Sequence, residues 1–82
     1  MAKTIYSEKH RLLCDMLRRA RRAADISQAE LAGQLGKPQS FVAKYERGER
    51  RIDVAEFTDI AAALDIAPAE FIAEFVERTK NN

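Results

Sequence analysis

Apolar side chains recur along this chain at spacings of three and four, the period of a helix with one buried face. Leu13, Met16, Leu17, Ala20 and Ala24 form the first stripe and predict a helix over residues 6–24. Arg18, Arg19, Arg21 and Arg22 interrupt it as solvated positions, and His10 reads as exposed. Asp25 stands where that helix stops, because Asp tolerates left-handed backbone better than most residues. Leu31, Ala32 and Leu35 make the buried side of a short second helix, 28–35, which Ser27 and Glu30 open as a capping box. Gly36 ends it, and Pro38 sits in the first turn of a third helix, where a missing N–H costs nothing. That helix, 38–47, turns Val42 and Tyr45 inward, the Tyr45 hydroxyl being expected to reach a polar partner. Asp53 and Glu56 make a second capping box for a fourth helix, 53–64, with Phe57, Ile60, Ala61 and Leu64 on its apolar face. Pro68 opens a fifth, 68–78, striped by Phe71, Ile72, Phe75 and Val76, and the tail 79–82 is expected to fray. No segment alternates as a strand does, and no repeat or long linker divides the chain. The pattern predicts one all-α domain of five helices over residues 1–82.

Size sharpens one part of this picture. A chain of 82 residues supports one modest core, and a core of that size gains from association. The fifth stripe is wider than a small core needs. Phe71 and Phe75 could complete the monomer core, and the surplus of the stripe of Phe71, Ile72, Phe75 and Val76 is read as a homodimer contact, the alternative being that all of it is internal. The single cysteine, Cys14, excludes an internal disulfide and favours a reducing, cytoplasmic setting. It reads as an inert helix residue, since nothing near it in sequence fixes a low thiol pKa. One Cys and one His cannot build a zinc site, so neither metal nor cofactor is expected. No apolar run approaches the ~20 residues of a membrane span, and the N-terminus lacks the hydrophobic stretch of a signal peptide.

Charge changes the picture more. The formal net charge is only +1, yet residues 1–51 hold twelve Lys and Arg against six Asp and Glu. Residues 52–82 hold two against seven. One end of the domain should be electropositive, as a nucleic-acid footprint requires. No nucleophile, base and orienting group stand in a catalytic pattern, and no glycine-rich phosphate loop occurs, so an enzyme is not expected.

Residues 27–47 carry the most specific pattern: S-Q-A-E-L-A-G-Q-L-G-K-P-Q-S-F-V-A-K-Y-E-R. Two short helices meet through a tight turn containing Gly36, with small Ala32 where they cross, which is a helix-turn-helix arrangement. The segments S-Q-A-E-L-A, G-K-P-Q-S, V-A-K-Y-E-R-G and I-D-V-A-E-F-T-D-I-A-A-A-L-D-I stand in an order that resembles the Cro/repressor-type, XRE-like helix-turn-helix regulators. The resemblance spans roughly residues 10–72. It implies a compact five-helix repressor-like domain, binding double-stranded DNA as a homodimer on an inverted repeat and regulating transcription. It further implies that Gln28 contacts a phosphate and braces the third helix, and that Gln39, Ser40 and Lys44 read bases. Gln pairs bidentately with adenine, Lys donates to guanine acceptors and Ser serves either role. Lys37, Arg47, Arg50 and Arg51 would lie within reach of backbone phosphates, which fix register without reading sequence. Arg21 and Glu46 resemble an ion pair that ties the first helix to the third. Phe41 is either a packing residue or an apolar contact to a thymine methyl group. Asp25 stands where the family often has glycine, Ala43 leaves one reader fewer, and Gly33 interrupts the second helix. A protein-interaction module of the same fold, an antitoxin or adaptor with a protein partner, is the alternative.

Overall fold

The computed structural model describes residues 7–80, and among these it shows five helices and no strand. They are α1 (Glu8–Ala23), α2 (Gln28–Leu35), α3 (Gln39–Glu46), α4 (Val54–Ala63) and α5 (Pro68–Lys80). Each start has a local cause. The Ser7 hydroxyl accepts from the His10 N–H at 3.1 Å and fixes the first turn of α1. Tyr6, where the sequence pattern began this helix, lies outside the described residues. Both expected capping boxes are present. Ser27 and Glu30 exchange bonds of 3.0 and 2.8 Å, and Asp53 and Glu56 exchange bonds of 2.7 and 3.0 Å. Pro38 departs from expectation. Its ψ of 155° is extended, so it precedes α3 as the cap residue instead of joining the first turn.

The helix ends share one device. Asp25, Gly36, Gly48 and Asp65 all take left-handed φ, between 58° and 77°, just after α1, α2, α3 and α4. At α2 the Gly36 N–H donates to the Gly33 carbonyl and the Lys37 N–H to that of Ala32, which satisfies two otherwise unpaired carbonyls. Asp25 does the same for α1 without a glycine, its N–H reaching the Arg22 carbonyl at 2.9 Å. The helix α5 runs on through Lys80 instead of fraying after residue 78. Arg78 pairs with Glu74 one turn back, and the basic residues Arg78 and Lys80 suit the negative end of a helix. Asn81 and Asn82 lie outside the described residues.

The core is continuous. Leu17, Leu31, Val42, Tyr45 and Ile60 are fully buried, with Met16, Ala32, Phe41, Phe57, Ala61, Leu64 and Phe71 around them. The helix α3 packs on α1 and α2, while α4 bridges α2 and α5. Ala32, 2 % exposed, admits the close approach of α2 to its neighbours.

Four expectations about direction fail, two for local reasons and two for tertiary ones. Ala24 caps α1 and is exposed, because the stripe ends one turn earlier. His10 is buried, since it shares a face with Cys14 and Leu17 at spacings of four and seven, and the Cys14 Sγ lies 3.8 Å from its Nε2. Tyr45 keeps its ring edge-on to Phe41, 5.5 Å between centroids, and its buried hydroxyl has no hydrogen-bond partner among the described residues. Ring burial outweighs the lost bond at that position. Phe71 belongs to the core, tilted 5.5 Å from Phe57, and Phe75 is half-buried against the same cluster. Of the expected dimer contact only Ile72 and Val76 face solvent, 39 % and 44 % exposed, and Val54 on α4 is 78 % exposed.

Candidate nucleic-acid interface

The sequence alone reads Arg21 as solvated along its own helix, yet its side chain is 10 % exposed. Its Nε and Nη2 donate to the two carboxylate oxygens of Glu46 at 2.7 and 3.0 Å, and Nη1 donates to the Ile26 carbonyl at 2.8 Å. The bond from Glu46 raises the Arg21 pKa further above its ordinary value. Glu46 is the last residue of α3, so this fork fixes α3 against α1 and against the chain entering α2. Gln28, in the first turn of α2, adds a third bond to the same carboxylate, its Nε2 donating at 2.9 Å. The Gln28 Oε1 then accepts from Gln39 Nε2 at 3.4 Å. A polar relay thus runs Arg21–Glu46–Gln28–Gln39, from a buried cation to an exposed amide at the start of α3. The bonds among Arg21, Glu46 and Gln28 are short and fix Gln28, and the last, longer bond at the surface draws the Gln39 amide toward it.

Gln39, Ser40, Lys44 and Arg47 are exposed on one side of α3, with Ala43 half-buried among them. The other side carries Phe41, Val42 and Tyr45 into the core. Phe41 is therefore a packing residue, 7 % exposed. No side chain caps α3, and while the Phe41 N–H donates to the Pro38 carbonyl at 3.0 Å, the Gln39 and Ser40 N–H groups are left at the positive end of the helix.

The remaining basic residues are less uniform than their sequence suggests. Lys37 Nζ lies 5.2 Å from the Phe41 ring centroid and the Arg50 guanidinium 4.6 Å from it, a cation on either account held over an aromatic face. Arg50 is also committed to Glu56, donating at 3.0 and 2.9 Å. Those bonds, with the Asp53 backbone N–H, pull the Glu56 carboxyl down to about 2. Its charge is thus neutralised within the fold. Arg47 pairs with Glu49 through bonds of 3.1 and 3.0 Å. Arg51 is exposed in the loop after α3. Ile72 and Val76 lie apart from all of these, on α5, which packs on α1 and α4.

Sequence reasoning missed Glu49 and Glu56 as partners of the basic residues. Opposite charge at short range was the available signal, but it does not say which side chains meet. Burial pushes the Cys14 thiol up to about 11, which leaves little reactive thiolate. Among the described residues, no three His, Cys, Asp or Glu side chains gather to hold a metal ion. No helix among them is long and apolar enough to cross a membrane.

Two short helices joined by a left-handed turn, the second exposed along one polar side and braced from behind, define a helix-turn-helix unit. A helix-turn-helix family model matches residues 17–71, and the chain belongs to the XRE-like helix-turn-helix family. It is 43 % identical to an XRE-family-like protein from Pseudomonas syringae, each chain covered over 93 % of its length, with a TM-score of 0.85. The restriction-modification controller protein C.AhdI from Aeromonas hydrophila is 36 % identical over 74 % of this chain and 88 % of that one, with a TM-score of 0.70. Among curated proteins, the uncharacterized HTH-type transcriptional regulator y4dL of Sinorhizobium fredii is 36 % identical over 74 % of this chain and 30 % of its own. A second such regulator, y4aM, is 31 % identical over 79 % and 46 %. The chain therefore spans about a third to a half of the curated relatives it matches. The family is one of DNA-binding transcriptional regulators.

Proposed function

We propose that this chain is a cytoplasmic transcriptional regulator of the repressor type, binding double-stranded DNA sequence-specifically as a homodimer on an inverted repeat. The relay from Arg21 to Gln39 carries this reading. It holds α3 by its far end and presents an amide at its near end, which is what a helix entering the major groove N-terminus first requires. In this reading Gln39, Ser40 and Lys44 meet base edges. Gln28, Lys37 and Arg51 meet phosphates and set the register, and Arg47 joins them only once its side chain leaves Glu49. Arg50 serves mainly as a brace, since its fork is already filled by Glu56.

Ile72 and Val76, with Val54, are the apolar surface offered to a second copy. A two-fold dimer would present its α3 helices roughly 34 Å apart, one turn of the duplex, and an inverted repeat follows from that symmetry.

Selection of bound duplexes from a random pool tests the reading. An inverted-repeat consensus is expected with the wild-type chain, and Gln39→Ala should relax it at one position of each half-site. An unchanged consensus would remove Gln39 from the base-reading set, and recovery of random sequence would remove sequence-specific recognition altogether. Sedimentation of Ile72→Asp/Val76→Asp should show a monomer where the wild type shows a dimer. The observation favouring the second reading, an antitoxin or adaptor, is the same exposed apolar surface in an acidic half. A monomeric wild type that co-purifies with a defined protein partner, and keeps it after Lys44→Ala, would favour it.

A further inference from the structure

Arg21, Arg47 and Arg50 each place two donors on the two oxygens of one glutamate, and two of these pairs tie elements together. Arg21–Glu46 joins α1 to α3, and Arg50–Glu56 joins the loop after α3 to α4. The third, Arg47–Glu49, joins nothing beyond its own turn. Both side chains are half exposed, 56 % and 49 %, and such a pair adds little to stability. The turn is nevertheless built to make it. Gly48 takes a φ of 77°, its N–H donates to the Tyr45 carbonyl, and the Glu49 N–H donates to that of Lys44 at 2.9 Å. This folds Glu49 back beside α3, where its carboxylate meets Arg47 and feels the charge of Lys44. A carboxylate just past a helix C-terminus is on the wrong side of the helix dipole, so helix stability does not explain it.

We infer that Glu49 is a built-in competitor for the phosphate that Arg47 would otherwise take, holding backbone affinity below what the cations of this face allow. The inference rests on the DNA-binding reading above. The chemistry is substitution of like for like. A guanidinium fork accepts two oxygens of a carboxylate or of a phosphate with the same geometry. With Nε and Nη2 already on Glu49, a phosphate must displace that carboxylate to gain this fork, or settle for the Nη1 side of a guanidinium whose charge is already compensated. The penalty is the same for every DNA sequence. It weakens non-specific binding as much as specific binding and shortens the time spent on wrong sites.

The test is titration of a fluorescein-labelled, mixed-sequence duplex by anisotropy, over a series of NaCl concentrations. Glu49→Gln should bind on the order of threefold to tenfold tighter at low salt, with a slope of log K against log salt steeper by about 0.9, one more phosphate contact. In an Arg47→Ala background, Glu49→Gln should change nothing. Glu70→Gln, an exposed carboxylate on α5, should leave binding unmoved. Thermal melting of Glu49→Gln should match wild type, which shows that the fold is not the source of the gain. Unchanged or weaker binding by Glu49→Gln, with wild type binding normally, overturns the inference and leaves the DNA-binding reading intact. An equal gain in the Arg47→Ala background overturns it too, since Glu49 would then act as diffuse repulsion. Failure of the wild type to bind duplex at any salt overturns the DNA-binding reading and the inference with it.

Discussion

Around α3 directional polar bonds are added to the apolar packing, whereas α4 and α5 meet through aromatic rings and hydrocarbon. Glu46, with its side chain 3 % exposed, accepts three bonds from Arg21 and Gln28. Phe57 and Phe71 meet with their rings tilted, 5.5 Å between centroids. Charge divides at nearly the same place, an excess of Lys and Arg up to residue 51 and of Asp and Glu beyond it. Apolar contact tolerates small rotations of a helix, while a bidentate ion pair does not. The half whose exposed side chains must sit at set positions uses bonds that define angle. The other half uses buried area and leaves Val54, Ile72 and Val76 over.

The largest expected effect tests that contrast directly. Glu46→Ala leaves the Arg21 guanidinium buried without its counter-charge and should cost about 3–5 kcal/mol in urea unfolding. Phe71→Ala should cost a similar amount, about 3–5 kcal/mol, by opening a cavity. The two differ in rescue. Arg21→Met/Glu46→Leu should regain most of the stability, because a buried pair contributes little beyond apolar residues of like size. It should not regain DNA affinity, because Gln28 and Gln39 lose the anchor of their relay. A double variant that restored binding as well would reduce the polar relay to ordinary packing.

The capping boxes allow the next comparison, since the same four-residue device occurs in each half. Glu30 only closes the box of α2, whereas Glu56 closes that of α4 and also holds Arg50. Glu30→Ala should cost about 1 kcal/mol, and Glu56→Ala about 2 kcal/mol because it breaks the tie across the two halves as well. Acid separates them further. The Glu56 carboxyl is lowered from its ordinary 4.5 to about 2. Its contribution is therefore complete above about pH 4.5 and is lost as pH falls through about 2. Glu56→Gln should flatten the fall in stability between those values. An unaltered acid profile would show that Arg50 holds Glu56 no better than solvent does.

The devices that were legible in the sequence are local ones. Ser27 with Glu30, Asp53 with Glu56, and the left-handed stops at Asp25 and Gly36 each need only a few neighbouring residues. The α4 stripe of Phe57, Ile60, Ala61 and Leu64 is buried throughout, because apart from Val54 the large apolar side chains of that helix share one face. The α5 stripe is wider, and periodicity cannot say which edge turns inward. The position of α4 decides it, burying Phe71 and leaving Ile72 and Val76 outside. His10 was open to a closer reading, since it continues the spacing of Cys14 and Leu17. The pairs Arg47–Glu49 and Arg50–Glu56 were not, because a loop geometry set by Gly48 decides which charges meet. Around α3 the residue types were readable and their connections only in part. The resemblance supplied Arg21 with Glu46 and Gln28 as a brace of α3, and only the packing of α1, α2 and α3 shows that the brace runs through Glu46 and on to Gln39.

Two smaller effects probe whether the polar half is as exact as its relay suggests. Tyr45, at the centre of that half, buries a hydroxyl with no partner among the described residues. Tyr45→Phe should therefore stabilise the domain by about 1 kcal/mol, read as a higher urea midpoint at constant slope. A loss of stability would mean that the hydroxyl is satisfied in solution, and that this half leaves no polar group unpaired.

The smallest effect concerns Gly33. It lies inside α2, exposed, and a Cβ built there would meet nothing within 4 Å. The structure thus removes close packing as the reason for a glycine. Glycine in a helix interior is less favourable than alanine by about 0.5–1 kcal/mol, because more backbone freedom is lost on folding. Gly33→Ala should raise stability by that amount, measured as a higher melting temperature. Duplex affinity should stay within about twofold of wild type, because α2 is read as meeting the backbone through Gln28 in its first turn, a full turn away. A stability gain accompanied by a clear loss of affinity would instead place the last turn of α2 against DNA. The polar half would then meet its ligand along both helices of the unit and not through α3 and the start of α2 alone.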